Sequence, residues 1–152
     1  MEDKYYTPKI EEFHVGFEYE QHEIINERDP HWKMMVKKMG FSTKEINQMF
    51  YNVDLVENLD QKRIRVKYLD SNDIESLGFD QTACYGNYIE FNDNVKAYKS
   101  RSNKLLYNTN YKLLNVEYYC FDEDIRETVF IGIIKNKSEL KKLLIQLEII
   151  NE

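Results

Sequence analysis

Every second residue from Phe13 to Tyr19 is apolar: Phe13, Val15, Phe17 and Tyr19 face one way, and His14, Gly16, Glu18, Glu20 and His22 the other. A period of two predicts a half-buried strand over 12–22. The period lengthens after Asp29-Pro30, which reads as an N-cap followed by proline at the first helical position. Trp32, Met35, Val36 and Met39 then recur at helical spacing and Gly40 closes the run, so a helix is expected there. Ser42 and Glu45 form a capping box with Phe41 and Ile46 as its staple, predicting a second short helix over 43–51.

Alternation returns at Arg63-Ile64-Arg65-Val66-Lys67-Tyr68-Leu69, a strand whose outward face is Arg63, Arg65 and Lys67. Asp70 to Gly78 opens on cap residues and ends on glycine, which predicts a short helical turn. Further strands are expected at 86–92, 104–107, 111–121 and 126–135. Asn108-Thr109-Asn110 and Asp122-Glu123-Asp124 have the residues hairpin loops require, and the second should join Leu114-Val116-Tyr118-Cys120 to Val129-Ile131-Ile133. Residues 93–103, with Asn94, Lys96, Lys99, Ser100, Arg101 and Asn103, read as a loop. Asn136 caps a last helix, and Leu140, Leu143, Leu144 and Leu147 form its stripe. The sum is an α+β fold: an antiparallel sheet of about five or six strands, an amphipathic C-terminal helix packed on one face, and short helices inserted after the first strand. With no linker or repeat in view, 1–152 is expected to be one domain, with 1–10 an extended lead-in.

Composition narrows the classes of function. A formal charge of −6 argues against a dedicated nucleic-acid binder and for a protein partner. No apolar run nears the roughly 20 residues that cross a bilayer, so no membrane association is expected. Cys84 and Cys120 lack metal-ligand spacing and read as buried thiols of a reducing cytoplasm. Asn, Lys, Ile and Tyr abound, as A+T-rich codons would produce.

Three groups of residues carry candidate chemistry. His14, Glu18, Glu20 and His22 stand on one strand face and are the metal candidate. Alternate residues on a strand are about 7 Å apart, so one flat strand cannot converge them on an ion, and solvated or paired side chains are the plainer reading. In its specific form, Glu18 and Glu20 pair with the basic face Arg63, Arg65 and Lys67 of a neighbouring strand and set the register. Lys135, Lys137, Lys141 and Lys142, around the start of the last helix, could hold an anion at its free N–H groups, although a solvated amphipathic face is the simpler account. Twelve tyrosines exceed the needs of one small core. Tyr5, Tyr6, Tyr98, Lys99 and Arg101 are the candidate partner surface, drawn from the N-terminal tyrosines and the 93–103 loop. No nucleophile elbow or Cys/His constellation is present, and nothing calls for a cofactor.

The opening stretch Tyr5-Tyr6-Thr7-Pro8 with Phe13 to His22, the block Asp73-Ile74-Glu75-Ser76-Leu77-Gly78-Phe79, and the block Ile134 to Leu144 resemble a group of small phage and prophage proteins of gut Bacteroidota. That group has no established activity, so the resemblance implies context alone: a viral accessory protein acting in the bacterial host cytoplasm. The expectation is a non-enzymatic protein that binds a host or phage protein, with open sheet edges that would allow a homodimer. A nucleic-acid or nucleotide-binding accessory protein comes second, and a metal-dependent enzyme third.

Overall fold

The computed structural model describes residues 4–23, 31–36, 57, 59–82, 94–120 and 125–151. These divide into two units, 1–68 and 69–152.

In the first unit, strands β1 (Tyr5–Tyr6), β2 (Glu18–Glu23), β3 (His31–Val36) and β4 (Ile64–Lys67) form an antiparallel sheet in the order β1-β4-β2-β3. The strand expected over 12–22 is shorter than its alternation. A 3-10 turn covers Ile10–Glu12, and the chain reverses at Val15-Gly16, where Gly16 takes φ +84 and the Phe17 N–H donates to the His14 carbonyl at 3.0 Å. The reversal turns Phe13 and Phe17 inward and leaves Val15 58% exposed. Glycine gives the chain a left-handed residue without a Cβ clash, and that local option outweighs the strand period.

The helix expected from Asp29-Pro30 is instead β3, paired with β2 from Glu18↔Val36 to Glu23↔His31. A helix of about ten residues is marginal by itself, whereas here the ladder with β2 satisfies the backbone. Trp32 and Met35 are half-buried in the strand, so a spacing of three was met without a helix. The second expected helix, 43–51, lies outside the described residues. On β4, Ile64 and Val66 are buried and join Phe13 and Phe17 as the core of this unit, with Tyr6, Tyr19 and Leu59 packed against it. The expected pairing of acidic and basic strands holds: β2 and β4 are antiparallel neighbours with Glu20 opposite Arg65.

The second unit is an α+β meander. Helix α1 (Ser71–Glu75) starts at Asp70, whose carboxylate accepts from the Asp73 N–H at 3.0 Å. Strands β5 (Asp80–Thr82), β6 (Val95–Ser100), β7 (Asn103–Asn108), β8 (Leu113–Cys120) and β9 (Ile125–Ile133) follow in sheet order, each antiparallel to the next. Residues 93–103 are therefore not one loop. β6 pairs with β7 across the two-residue connection Arg101-Ser102, with Arg101 at φ +45. Asn108 closes the next hairpin, its side-chain oxygen accepting from the N–H groups of Asn110 and Tyr111 at 3.0 and 3.1 Å. The expected strand at 86–92 and the loop at 122–124 lie outside the described residues.

Helix α2 (Lys137–Gln146) is capped as expected by Asn136, whose side chain accepts from the Glu139 N–H at 2.9 Å. Leu140 and Leu144 are fully buried against Tyr98, Leu105, Tyr107, Leu114 and Val116 of the sheet, with Leu69, Ile74, Phe79 and Ile134 closing the cluster. Both interior tyrosines satisfy their hydroxyls. Tyr107 donates to the Ile134 carbonyl at 3.1 Å, and Tyr98 donates to Ser71 Oγ at 2.9 Å.

Burial raises the Tyr98 hydroxyl above its ordinary 10.0, Glu75 and Asp70 add to the rise, and the Ser71 bond opposes it. The unfolded chain therefore releases this proton first, so stability is intact below about pH 10 and falls as pH climbs toward the folded value. Tyr98→Phe should flatten that alkaline loss, measured as denaturant midpoints of both proteins above pH 10.

Candidate functional site

The meander has two faces, and the outer one carries the charges. Residues Lys99, Lys104, Glu117 and Thr128 lie side by side across β6 to β9, linked by the registers Lys99↔Lys104, Lys104↔Glu117 and Glu117↔Thr128. One row further along, Tyr119 pairs with Arg126. A register shift after Val116 leaves β9 one residue longer than its partner, a bulge at Val129. Without it, Arg126 would face the core side. With it, Arg126, Thr128, Ile131 and Ile133 share the outer face.

These side chains line a concavity of ≈140 Å³ made by Lys99, Arg101, Ser102, Asn103, Lys104, Glu117, Tyr119 and Arg126. Four cationic side chains and one carboxylate share this lining. Among the described residues, none of Lys99, Arg101 and Lys104 has a carboxylate within ion-pair distance. Glu117 is 8% exposed, and its carboxylate accepts from Asn115 Nδ2 at 3.3 Å. The other end of that amide, Asn115 Oδ1, is buried without a hydrogen-bond partner, at a cost of about 1–3 kcal/mol. The Arg126 guanidinium lies 5.7 Å from the Tyr119 ring centroid. Cations lining a concave wall raise the local concentration of anions.

Further along the same face the surface turns apolar. Leu113 lies opposite Ile133, and Asn115 opposite Ile131. Leu113, Val129, Ile131 and Ile133 are 40–64% exposed. The expected antiparallel pairing of the Leu114–Cys120 segment with the Val129–Ile133 segment holds, with Phe130 and Gly132 opposite Val116 and Leu114 on the core side.

The other candidates are placed as follows. His14 sits in the turn before β2, its Nδ1 2.9 Å from the Glu12 carbonyl oxygen. Glu20 is bound by Arg65, and His22 packs edge-on to Trp32. Glu18 is exposed on β2. Among the described residues no group of three or more His, Cys, Asp or Glu could hold a metal. The expected anion site at the last helix already has a carboxylate: Glu139 accepts from the Lys135 N–H at 2.7 Å and donates its own N–H to Asn136. Lys137 is half-buried, while Lys141 and Lys142 are exposed along the helix rather than converging on its start.

Of the expected partner surface, Lys99 and Arg101 enter the concavity. Tyr98 is fully buried and belongs to the core. Tyr6 stacks on Tyr68 with ring centroids 4.7 Å apart, and Tyr5 covers Arg65, so both are engaged within the first unit. Lys104, Tyr119 and Arg126 were missed. The signal for them lay in the expected strands 104–107, 111–121 and 126–135, whose alternation was legible but whose side-by-side register was not.

A scan against protein-family models, a search of curated proteins and a search of solved structures each find no match to this chain. No helix among the described residues is long and apolar enough to cross a membrane.

Proposed function

We propose that this chain is a non-enzymatic binding module that holds an acidic segment of another protein against the outer face of the five-stranded sheet. The observation that carries the reading is the cluster Lys99, Arg101, Lys104 and Arg126 around one concavity, in a chain whose formal charge is −6. A local reversal of sign on an acidic protein steers encounter with, and fixes the register of, a complementary acidic surface. At ≈140 Å³ the hollow is smaller than the roughly 300–1,000 Å³ of a pocket that encloses a whole small molecule. It suits one or two side chains of a longer segment. The resemblance of the three sequence blocks to phage and prophage proteins supports action in the bacterial host cytoplasm, on a host or phage protein.

The test is fluorescence anisotropy with a labelled oligoglutamate peptide, and with oligothymidylate of similar length as the competing class. Oligoglutamate should bind, and Lys104→Glu with Arg126→Glu should weaken it by about tenfold or more, as for paired charges lost at an interface. Binding of the oligonucleotide alone, lost in the same variant and steeply salt-dependent, would overturn the reading in favour of nucleic acid.

A further inference from the structure

Among the described residues, the aliphatic strip beside the concavity ends on an open strand edge: β9 is the last described strand of its sheet, and β8 is its sheet neighbour. The Ile134 N–H donates to the Lys112 carbonyl at 2.8 Å. Main-chain groups alternate in direction along an antiparallel strand. Gly132 therefore also faces β8, and the N–H and C=O groups of Ile131 and Ile133 point to the free edge. The side chains of the same two residues are each 64% exposed on the outer face, beside Leu113 at 40%. Natural sheets blunt such an edge with lysine, proline or a bulge. Here the bulge at Val129 interrupts the edge, but the stretch 130–133 beyond it has no charge and no proline. Arg126, at the other end of the same strand, lines the cationic hollow.

We infer that the partner's segment is added as a strand along the edge of β9, laying aliphatic side chains beside Ile131 and Ile133 and reaching acidic ones to Arg126 at the rim of the concavity. The inference rests on the proposed function and deepens it, from an acidic partner to an extended segment that alternates aliphatic residues and carries acidic ones at its end. Charge complementarity with the hollow and its continuity with the strip along one strand select this occupant. Main-chain bonds would supply affinity and the two surfaces the specificity, as in other strand-addition complexes.

The test uses a labelled peptide of alternating valine and threonine flanked by glutamates, and the same peptide N-methylated at alternate residues. The methylated form keeps every side chain but cannot complete a ladder. The unmodified peptide should bind more tightly than oligoglutamate, and N-methylation or Ile131→Asp should each weaken it by about tenfold or more. Ile131 is exposed, so the variant should fold; its circular dichroism and that of Ile131→Lys serve as checks. Equal binding of both peptide forms, or binding untouched by Ile131→Asp, overturns strand addition even where oligoglutamate binding persists. Loss with Ile131→Asp but not with Lys104→Glu and Arg126→Glu keeps strand addition and removes the acidic partner. A concentration-dependent dimer in sedimentation, abolished by Ile131→Asp, overturns the inference in favour of a second copy of this chain.

Discussion

Leu144→Ala is expected to lower stability by about 2–5 kcal/mol, the range for a leucine truncated in a close-packed core. Leu144 is fully buried, one helical turn from the equally buried Leu140, in the cluster formed with the inner face of the meander. Removing three carbons there loses the transfer energy of the side chain and leaves a hollow between helix and sheet. The helix cannot easily settle into it, because Asn136 and the Glu139 carboxylate fix its first turn. Denaturant unfolding of the two proteins measures the effect. A loss below about 1 kcal/mol would mean that the helix is not held by this face. Lys141→Ala, on the exposed side of the helix, is the control and should change little.

The second large effect is expected in the first unit, at Arg65. Its guanidinium lies 3.9 Å from the Tyr5 ring centroid and 4.0 Å from that of Trp32, between two aromatic faces. Its Nε and a terminal nitrogen each lie 2.6 Å from Glu20 Oε2, and the Tyr5 hydroxyl reaches the other oxygen of that carboxylate at 3.5 Å. One side chain on β4 thus touches β1, β2 and β3. The pair is partly exposed, 29% for Arg65 and 18% for Glu20, so its Coulomb energy is screened well below that of a buried pair. Two cation–π contacts add about 0.5–2 kcal/mol each. Arg65→Ala should therefore cost about 2–4 kcal/mol, including the carboxylate left without its partner. Arg65→Lys keeps the charge but loses the planar fork and the stacking, and should recover less than half of that loss. Full recovery by lysine in equilibrium unfolding would show that charge alone matters here.

Helix ends and their caps were legible in the sequence because they are local. Asp70 and Asn136 bond to N–H groups three residues away, so a short window holds all the information. The pairing of Glu20 with Arg65 was legible too, because two alternating strands of opposite charge name each other. The region from 29 to 36 was not. Trp32 and Met35 fit a helical face, and only the six-residue ladder offered by β2 tips the balance. Nor was β6, since its hairpin turns on Arg101 at φ +45, a residue outside the usual turn alphabet. The candidate site was half visible. Lys99 and Arg101 were singled out as exposed basic residues, but Lys104, Tyr119 and Arg126 come together with them through sheet register and the bulge at Val129, which depend on pairing between distant segments.

The strand order of the first unit sets the order in which a growing chain can acquire structure. β4 lies between β1 and β2, yet its residues follow β2 by some forty positions. The β2–β3 hairpin is local and can close as soon as Val36 leaves the ribosome. β1, by contrast, has nothing to join until Val66 and Lys67 are made, and Phe13 and Phe17 wait for Ile64 and Val66 to cover them. During that interval a nascent chain carries bare rings, with the cost in loop closure that late, distant pairing imposes.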